Sequence, residues 1–294
     1  MNHPLQAIAV FYAEAMVAEA NSFSPSAGKP LHVLAAWKAD QLPIAIQPVL
    51  PVDEHDLALC HDPAYVRGVL ACMLPNGFSN RSPDVARSLP WTSGALLSAA
   101  RHALREGIAC APVSGFHHAC YGSGGGYCTF NGLMVTVAKL LSEGLVHRVL
   151  ILDCDQHYGN GTDQIIAQLS MDDVVENATF GRRFCVPADA SAYLARLGKT
   201  AVRFGDFDLV LYQAGADIHV DDPLGGVLTT EQMIERDRIV FQAARERSVP
   251  IAWNLAGGYQ QPLAKVVALH VNTMRECARS YVETTKPMAR EKPP

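Results

Sequence analysis

The chain predicts an α/β fold: a single domain with an open, mostly parallel β-sheet and helices on both faces. Three observations carry this reading. Short apolar runs of strand length alternate with amphipathic stretches of helical length, and that order requires crossovers that bring each strand back parallel to the last. The run Val149 to Leu152 is apolar at every position, as a strand covered on both faces must be. No stretch has the composition of a linker, so residues 1–285 read as one domain and 286–294, with three prolines, as a mobile tail.

Taken in order, Ala7 to Tyr12 is a short strand, followed by a Ser/Pro/Gly-rich loop over Asn21 to Pro30 and a helix over Leu31 to Leu42. Ile44 to Leu50 is a second strand, Tyr65 to Met73 is amphipathic, and Leu74 to Pro90 reads as a long loop. Apolar residues at 96, 97, 100, 103 and 104 make Thr92 to Arg105 a helix before the strand Ala109 to Val113. Helices then cover Gly132 to Leu141, Thr162 to Leu169, Ala190 to Phe204, Thr229 to Arg247 and Leu263 to Thr284. The strands Val149 to Leu152, Leu209 to Gln213 and Ile251 to Leu255 lie between them. Thr229 and Gln232 have capping-box spacing.

At 294 residues, 49% hydrophobic and 18% charged, the chain can bury a sizeable core. A net charge of −5 and the lack of a lysine/arginine run argue against nucleic acid as a partner. No apolar run approaches membrane-spanning length, and Met1 to Gln6 lacks the pattern of a secretion signal, so no membrane partner is expected. The eight cysteines form no C-x-x-C pair and read as reduced, mostly buried thiols in a cytoplasmic protein.

Polar clusters fall at the ends of four strands: Phe116-His117-His118, Asp153-Cys154-Asp155-Gln156-His157, Asp217, and Gly257-Gly258-Tyr259. Carboxyl ends of parallel strands share one edge of the sheet, so these clusters should converge. Extended chain repeats every two residues, which puts Asp153, Asp155 and His157 on one side where their strand runs out. By itself D-x-H is either half a metal site or a capped strand end with a chance histidine, and a His-His pair alone is more often a loop feature. Together, Asp155, His157 and Asp217 would supply three metal ligands and leave one position open, the mark of a catalytic site. His32, His61, His219 and His270 read as structural or surface residues. Gly122 to Gly126 lacks the strand-to-helix frame of a phosphate loop.

These motifs, with Gly115 to Ala119, Gly126-Tyr127-Cys128, Asn131, the D-x-D-x-H-x-G-N-G run and Asp222 to Gly226, resemble the arginase-like deacetylases: zinc-dependent histone deacetylases and their bacterial amidohydrolase homologues. The resemblance runs from about His61 to Tyr259 and implies the arginase/deacetylase fold. It implies Asp155, His157 and Asp217 as ligands of Zn2+, with Fe2+ as the alternative. His118 resembles the histidine that takes a proton from the attacking water, His117 its partner nearer the leaving amine, and Tyr259 the oxyanion donor. Asp153 resembles the carboxylate that orients His117 and helps hold K+, and Asn160 stands where some members carry an aspartate facing the other histidine. Gly126, Tyr127 and Leu224 match the walls of a substrate tunnel, while Cys128 and Cys154 only pack. The implied reaction removes an acetyl or other acyl group from a primary amine such as a lysine side chain. Alternatives are an acylpolyamine or other small-molecule deacylase and a catalytically idle binding protein, with the oligomeric state open.

Two departures stand out. Tyr158 replaces a histidine that usually follows the ligand histidine. The stretch between His157 and Asp217 is short, and Asn177 to Pro187 replaces a segment that carries an aromatic tunnel wall and part of the K+ site, which leaves K+ open. If neither Phe180 nor Phe184 reaches the tunnel, the pocket should be wider and its preference across acyl lengths flatter, with Arg182 and Arg183 at the rim.

Overall fold

The computed structural model describes residues 5–282, so the expected tail at 286–294 lies outside the described residues. Its centre is one seven-stranded sheet, ordered β2-β1-β3-β7-β6-β4-β5. The strands are β1 (Ile8–Phe11), β2 (Ile44–Gln47), β3 (Ile108–Ala111), β4 (Val149–Asp153), β5 (Val175–Thr179), β6 (Leu209–Gly215) and β7 (Ile251–Ala256). Every pairing is parallel.

Alternation along each strand divides the core in two. Leu150, Leu152, Val210, Tyr212, Ile251 and Trp253 face one side, where α1 (Lys29–Ala39), α7 (Ala190–Val202), α8 (Thr230–Glu246) and α9 (Ala264–Tyr281) cover them. Val149, Ile151, Leu209, Leu211 and Ala252 face the other side, covered by α3 (Pro63–Leu70), α4 (Pro83–Glu106), α5 (Gly132–Ser142) and α6 (Asn160–Leu169). The short α2 (Glu54–Ala58) adds Leu57 to this second core. Among the described residues no helix is long and apolar enough to cross a membrane.

Two sequence expectations change. The loop expected over Leu74 to Pro90 ends at Ser82, whose Oγ accepts the Val85 N–H and caps α4, with Pro83 in the first turn where a missing N–H costs nothing. Pro90 therefore sits inside the helix, and its carbonyl accepts the Val52 N–H at 3.1 Å. The segment Asn177 to Pro187 is not all loop, because its first three residues belong to β5, an edge strand paired only with β4. Half-buried on its open side, β5 carries the polar sequence VENAT and hides from a search for apolar runs.

The register sets the site. Asp153 at the end of β4 lies beside Gln213 of β6, which lies beside Asn254 of β7, so these strands finish nearly level. The segments that follow them open on one edge.

Candidate functional site

The structure brings Asp155, His157 and Asp217 together, with one ligand atom from each within 4.8 Å of the others. His157 Nδ1 lies 3.0 Å from Asp217 Oδ2 and 3.3 Å from Asp155 Oδ1. Both carboxylates are almost wholly buried. Backbone amides hold them in place: Asp155 Oδ1 accepts the His157 N–H at 2.9 Å, and Asp217 Oδ1 accepts the Gln156 N–H at 3.0 Å. The close approach depends on glycine, since a Cβ on Gly215 would stand 2.4 Å from the Asp155 Cα. Gly257 has φ 47°, and a Cβ there would stand 2.2 Å from the Asp217 Cγ.

The electrostatics are those of a site short of positive charge. Burial and the neighbouring Asp155 push the Asp217 carboxyl up to about 7. Hydrogen bonds donated to the Asp155 and Asp217 carboxylates raise His157 to about 11. Two buried carboxylates and one imidazole nitrogen, turned toward a common point beside a small cavity, form a donor set suited to a divalent cation of borderline softness.

The two histidines differ in their partners. His117 Nδ1 donates to Asp153 Oδ2 at 2.8 Å, and its Nε2 lies 3.6 Å from Asp155 Oδ1. Burial opposes its charged form, but Asp153 and Asp155 outweigh that and raise it to about 9. His118 Nδ1 lies 2.6 Å from Asn160 Oδ1, and burial together with the nearby His117 lowers its pKa below the usual imidazole value. The ring centroids are 4.1 Å apart, so a histidine whose partner favours its charged form sits against one whose partner and burial favour the neutral form. Asp153 Oδ1 accepts from the Asp155 N–H at 3.2 Å and from Gln213 Nε2 at 2.9 Å, which engages both its oxygens.

Tyr259 completes the cavity with His117, His118, Gly126, Tyr127 and Asp155. The enclosed space is about 10 Å³, room for roughly one water. Burial and the Asp217 and Asp155 charges push the Tyr259 phenol far above its usual pKa, so it remains a donor. The Tyr127 ring stands 5.8 Å from that of Tyr259, centroid to centroid. Leu224 is 42% exposed and does not line the cavity.

Two residues were missed in the sequence. Asp222, buried in the loop after Asp217, accepts the Tyr259 N–H at 2.7 Å and the Leu224 N–H at 3.0 Å, tying the tyrosine to the rim. Lys29 is fully buried and donates from Nζ to the Gly257 carbonyl. Burial lowers its pKa to about 8 against the pull of Asp217, Asp155 and Asp222. Asp222 stands in a recognisable motif. Lys29, at the start of a helix, resembles any surface lysine.

Several expectations resolve without a site role. Phe180 and Phe184 turn into the core and pack on Tyr193 with centroids 4.8 and 5.5 Å away, so neither walls the cavity. Nor is the cavity wide. Tyr158 donates its hydroxyl to Asp163, and the Arg182 guanidinium stacks 5.0 Å from its ring. His61 is buried: its Nε2 accepts the Asn131 N–H at 2.8 Å, and its other nitrogen faces the Cys120 and Tyr121 carbonyls. A second acidic group, Asp53, His55 and Asp56, is explained by the capping box of α2 and by an ion pair from Lys139 to Asp56.

A single-domain parallel α/β sheet that gathers these clusters at one carboxyl edge has the architecture of the arginase/deacetylase class. The histone deacetylase domain, as a family description, matches residues 28–179 and 188–274, and its gap falls on the short segment after β5. The chain belongs to the histone deacetylase family. It is 31% identical over 255 residues to an uncharacterised protein of Picosynechococcus sp., covering 76% of this chain and 81% of that one. Histone deacetylase 2 of Arabidopsis thaliana is 29% identical over 213 residues, 66% of this chain, and the match spans 54% of the plant protein's length. The crystal structure of the HDA15 HD domain superposes with a TM-score of 0.71 at 19% identity over 92% of this chain and 90% of that one, a likeness of fold.

Proposed function

We propose that this chain is a metal-dependent amidohydrolase that removes an acetyl group from a primary amine such as a lysine side chain. The observation that carries the reading is the convergence of Asp155, His157 and Asp217 within 4.8 Å of one another, with Asp155, the His117–His118 pair and Tyr259 lining one small cavity. A divalent cation, zinc or ferrous iron, held by those three ligands would supply a Lewis acid that acidifies the attacking water and polarises the amide carbonyl.

The remaining steps fall to the side chains. His118, neutral and with Nδ1–H engaged by Asn160, offers Nε2 to take the proton as water adds to the carbonyl carbon. The Tyr259 hydroxyl donates a hydrogen bond to the carbonyl oxygen as it gains negative charge. The C–N bond then breaks as the proton passes from His118 to the leaving nitrogen, giving a carboxylic acid and an amine. His117, kept protonated by Asp153, stabilises the negative charge that develops beside it. The hydrogen bonds on both Asp153 oxygens give that residue an orienting role in this reading.

The test is hydrolysis by metal-loaded protein across acetyl-lysine peptides, acetylpolyamines and longer acyl amides, followed by release of free amine. Cleavage of acetyl-lysine is expected. Cleavage of acetylpolyamines alone would move the assignment to a small-molecule deacylase, and no cleavage with metal bound would leave an idle binding protein.

A further inference from the structure

Phe23 is a large apolar side chain that is 58% exposed, in a loop rich in serine, proline and glycine. Lone exposed phenylalanines are ordinary. This one lies nearly parallel to Tyr259, with ring centroids 5.9 Å apart and planes 10° apart. Beyond Tyr259 the aromatic surface continues through Tyr127 to Phe78, whose centroids are 6.0 Å apart. The loop that presents Phe23 is anchored on both sides. Asn80 Nδ2 donates to the Ala20 carbonyl at 2.8 Å, Ser24 and Ser26 are buried and hydrogen-bonded at 3.0 Å, and Ser26 lines the cavity itself.

The cavity beneath these rings, about 10 Å³, is too small to take in the amine side of an amide. The amine side must therefore leave outward past Tyr259. There Phe23, exposed and stacked on the buried Tyr259, lies on the solvent side of the cavity's tyrosine.

We infer that Phe23 is a specificity-determining residue that packs on the amine-side stem of the substrate, favouring amides whose nitrogen carries a chain of several methylenes. This rests on the amidohydrolase reading. A methylene chain laid on an aromatic face loses water-exposed area in proportion to its length. The contribution should therefore appear with long stems and vanish with short ones.

The experiment compares N-acetylhexylamine with N-acetylmethylamine as substrates of the metal-loaded full chain, in the wild type, Phe23→Ala and Phe23→Leu. Phe23→Ala is expected to raise KM for the hexyl amide about tenfold with kcat nearly unchanged, and to leave both constants for the methyl amide alone. Phe23→Leu should recover most of the loss. Equal losses on both substrates would mean that Phe23 only supports Tyr259, and no loss on either would mean that it is idle; both overturn the inference. Failure of the wild type on acetyl-lysine peptides as well as on both amides overturns the amidohydrolase reading, and this inference falls with it; cleavage of the peptides but not of the hexyl amide overturns this inference alone.

Discussion

His118 meets Asn160 at 2.6 Å where the adjacent His117 meets the carboxylate of Asp153 at 2.8 Å. An amide orients an imidazole without stabilising its cation, so the two histidines hold different charges at the same pH. The one that must be neutral to accept a proton is the one paired with the amide.

Replacing Asn160 by Asp would place a negative charge against His118 Nδ1 and raise its pKa by about one unit or more. The acid limb of kcat/KM should move to higher pH by the same amount, because the base must lose its proton before it can act. A pH-rate profile checks this. A limb that stays in place would mean that another group accepts the proton.

Metal retention should depend on the two buried carboxylates. In an Asp155→Ala, Asp217→Ala double variant, two ligands and two negative charges are gone, and elemental analysis should find far less than one divalent ion per chain. Full occupancy of that variant would sink the ligand assignment.

Tyr259→Phe keeps the ring and removes the donor. Metal content should stay intact while kcat falls about a hundredfold or more, the cost of losing one oxyanion donor, and KM should move far less. Undiminished turnover would pass that role to another group.

The cavity's size sets a further expectation. With Phe180 and Phe184 committed to the core, the pocket narrows around His117, His118, Tyr127 and Tyr259 instead. Acetyl amides should exceed butyryl amides in kcat/KM by tenfold or more, since the cavity beside Tyr259 is only about 10 Å³. A ratio near one would mean that the rim opens to admit the longer chain.

What could be read in advance follows from range. Asp155 and His157 are legible because two-residue periodicity and an apolar strand place them without reference to the rest of the chain. Asp217, Tyr259 and the His117–His118 pair are legible because each lies within a few residues of a strand's carboxyl end. Lys29 was not, because its environment is the carbonyl of Gly257, 228 residues away. The burial of Phe180 and Phe184 depends on Tyr193, on a helix whose rotation about its axis cannot be read from a short segment. Phe23 was passed over because its neighbours all signal a polar loop. β5 escaped because an edge strand need not be apolar on its open side.

The pairing of β4 with β6 also bears on how the molecule forms. Asp155 and His157 follow one strand and Asp217 follows the other, and α6, β5 and α7 lie in the chain between them. Such distant pairing pays its loop-closure entropy late, so the three ligands come within reach of one another only as the sheet closes. A bound cation would therefore act on the native state more than on the folding transition state. It should slow unfolding while leaving the refolding rate nearly unchanged, making metal occupancy a determinant of the protein's lifetime more than of its assembly.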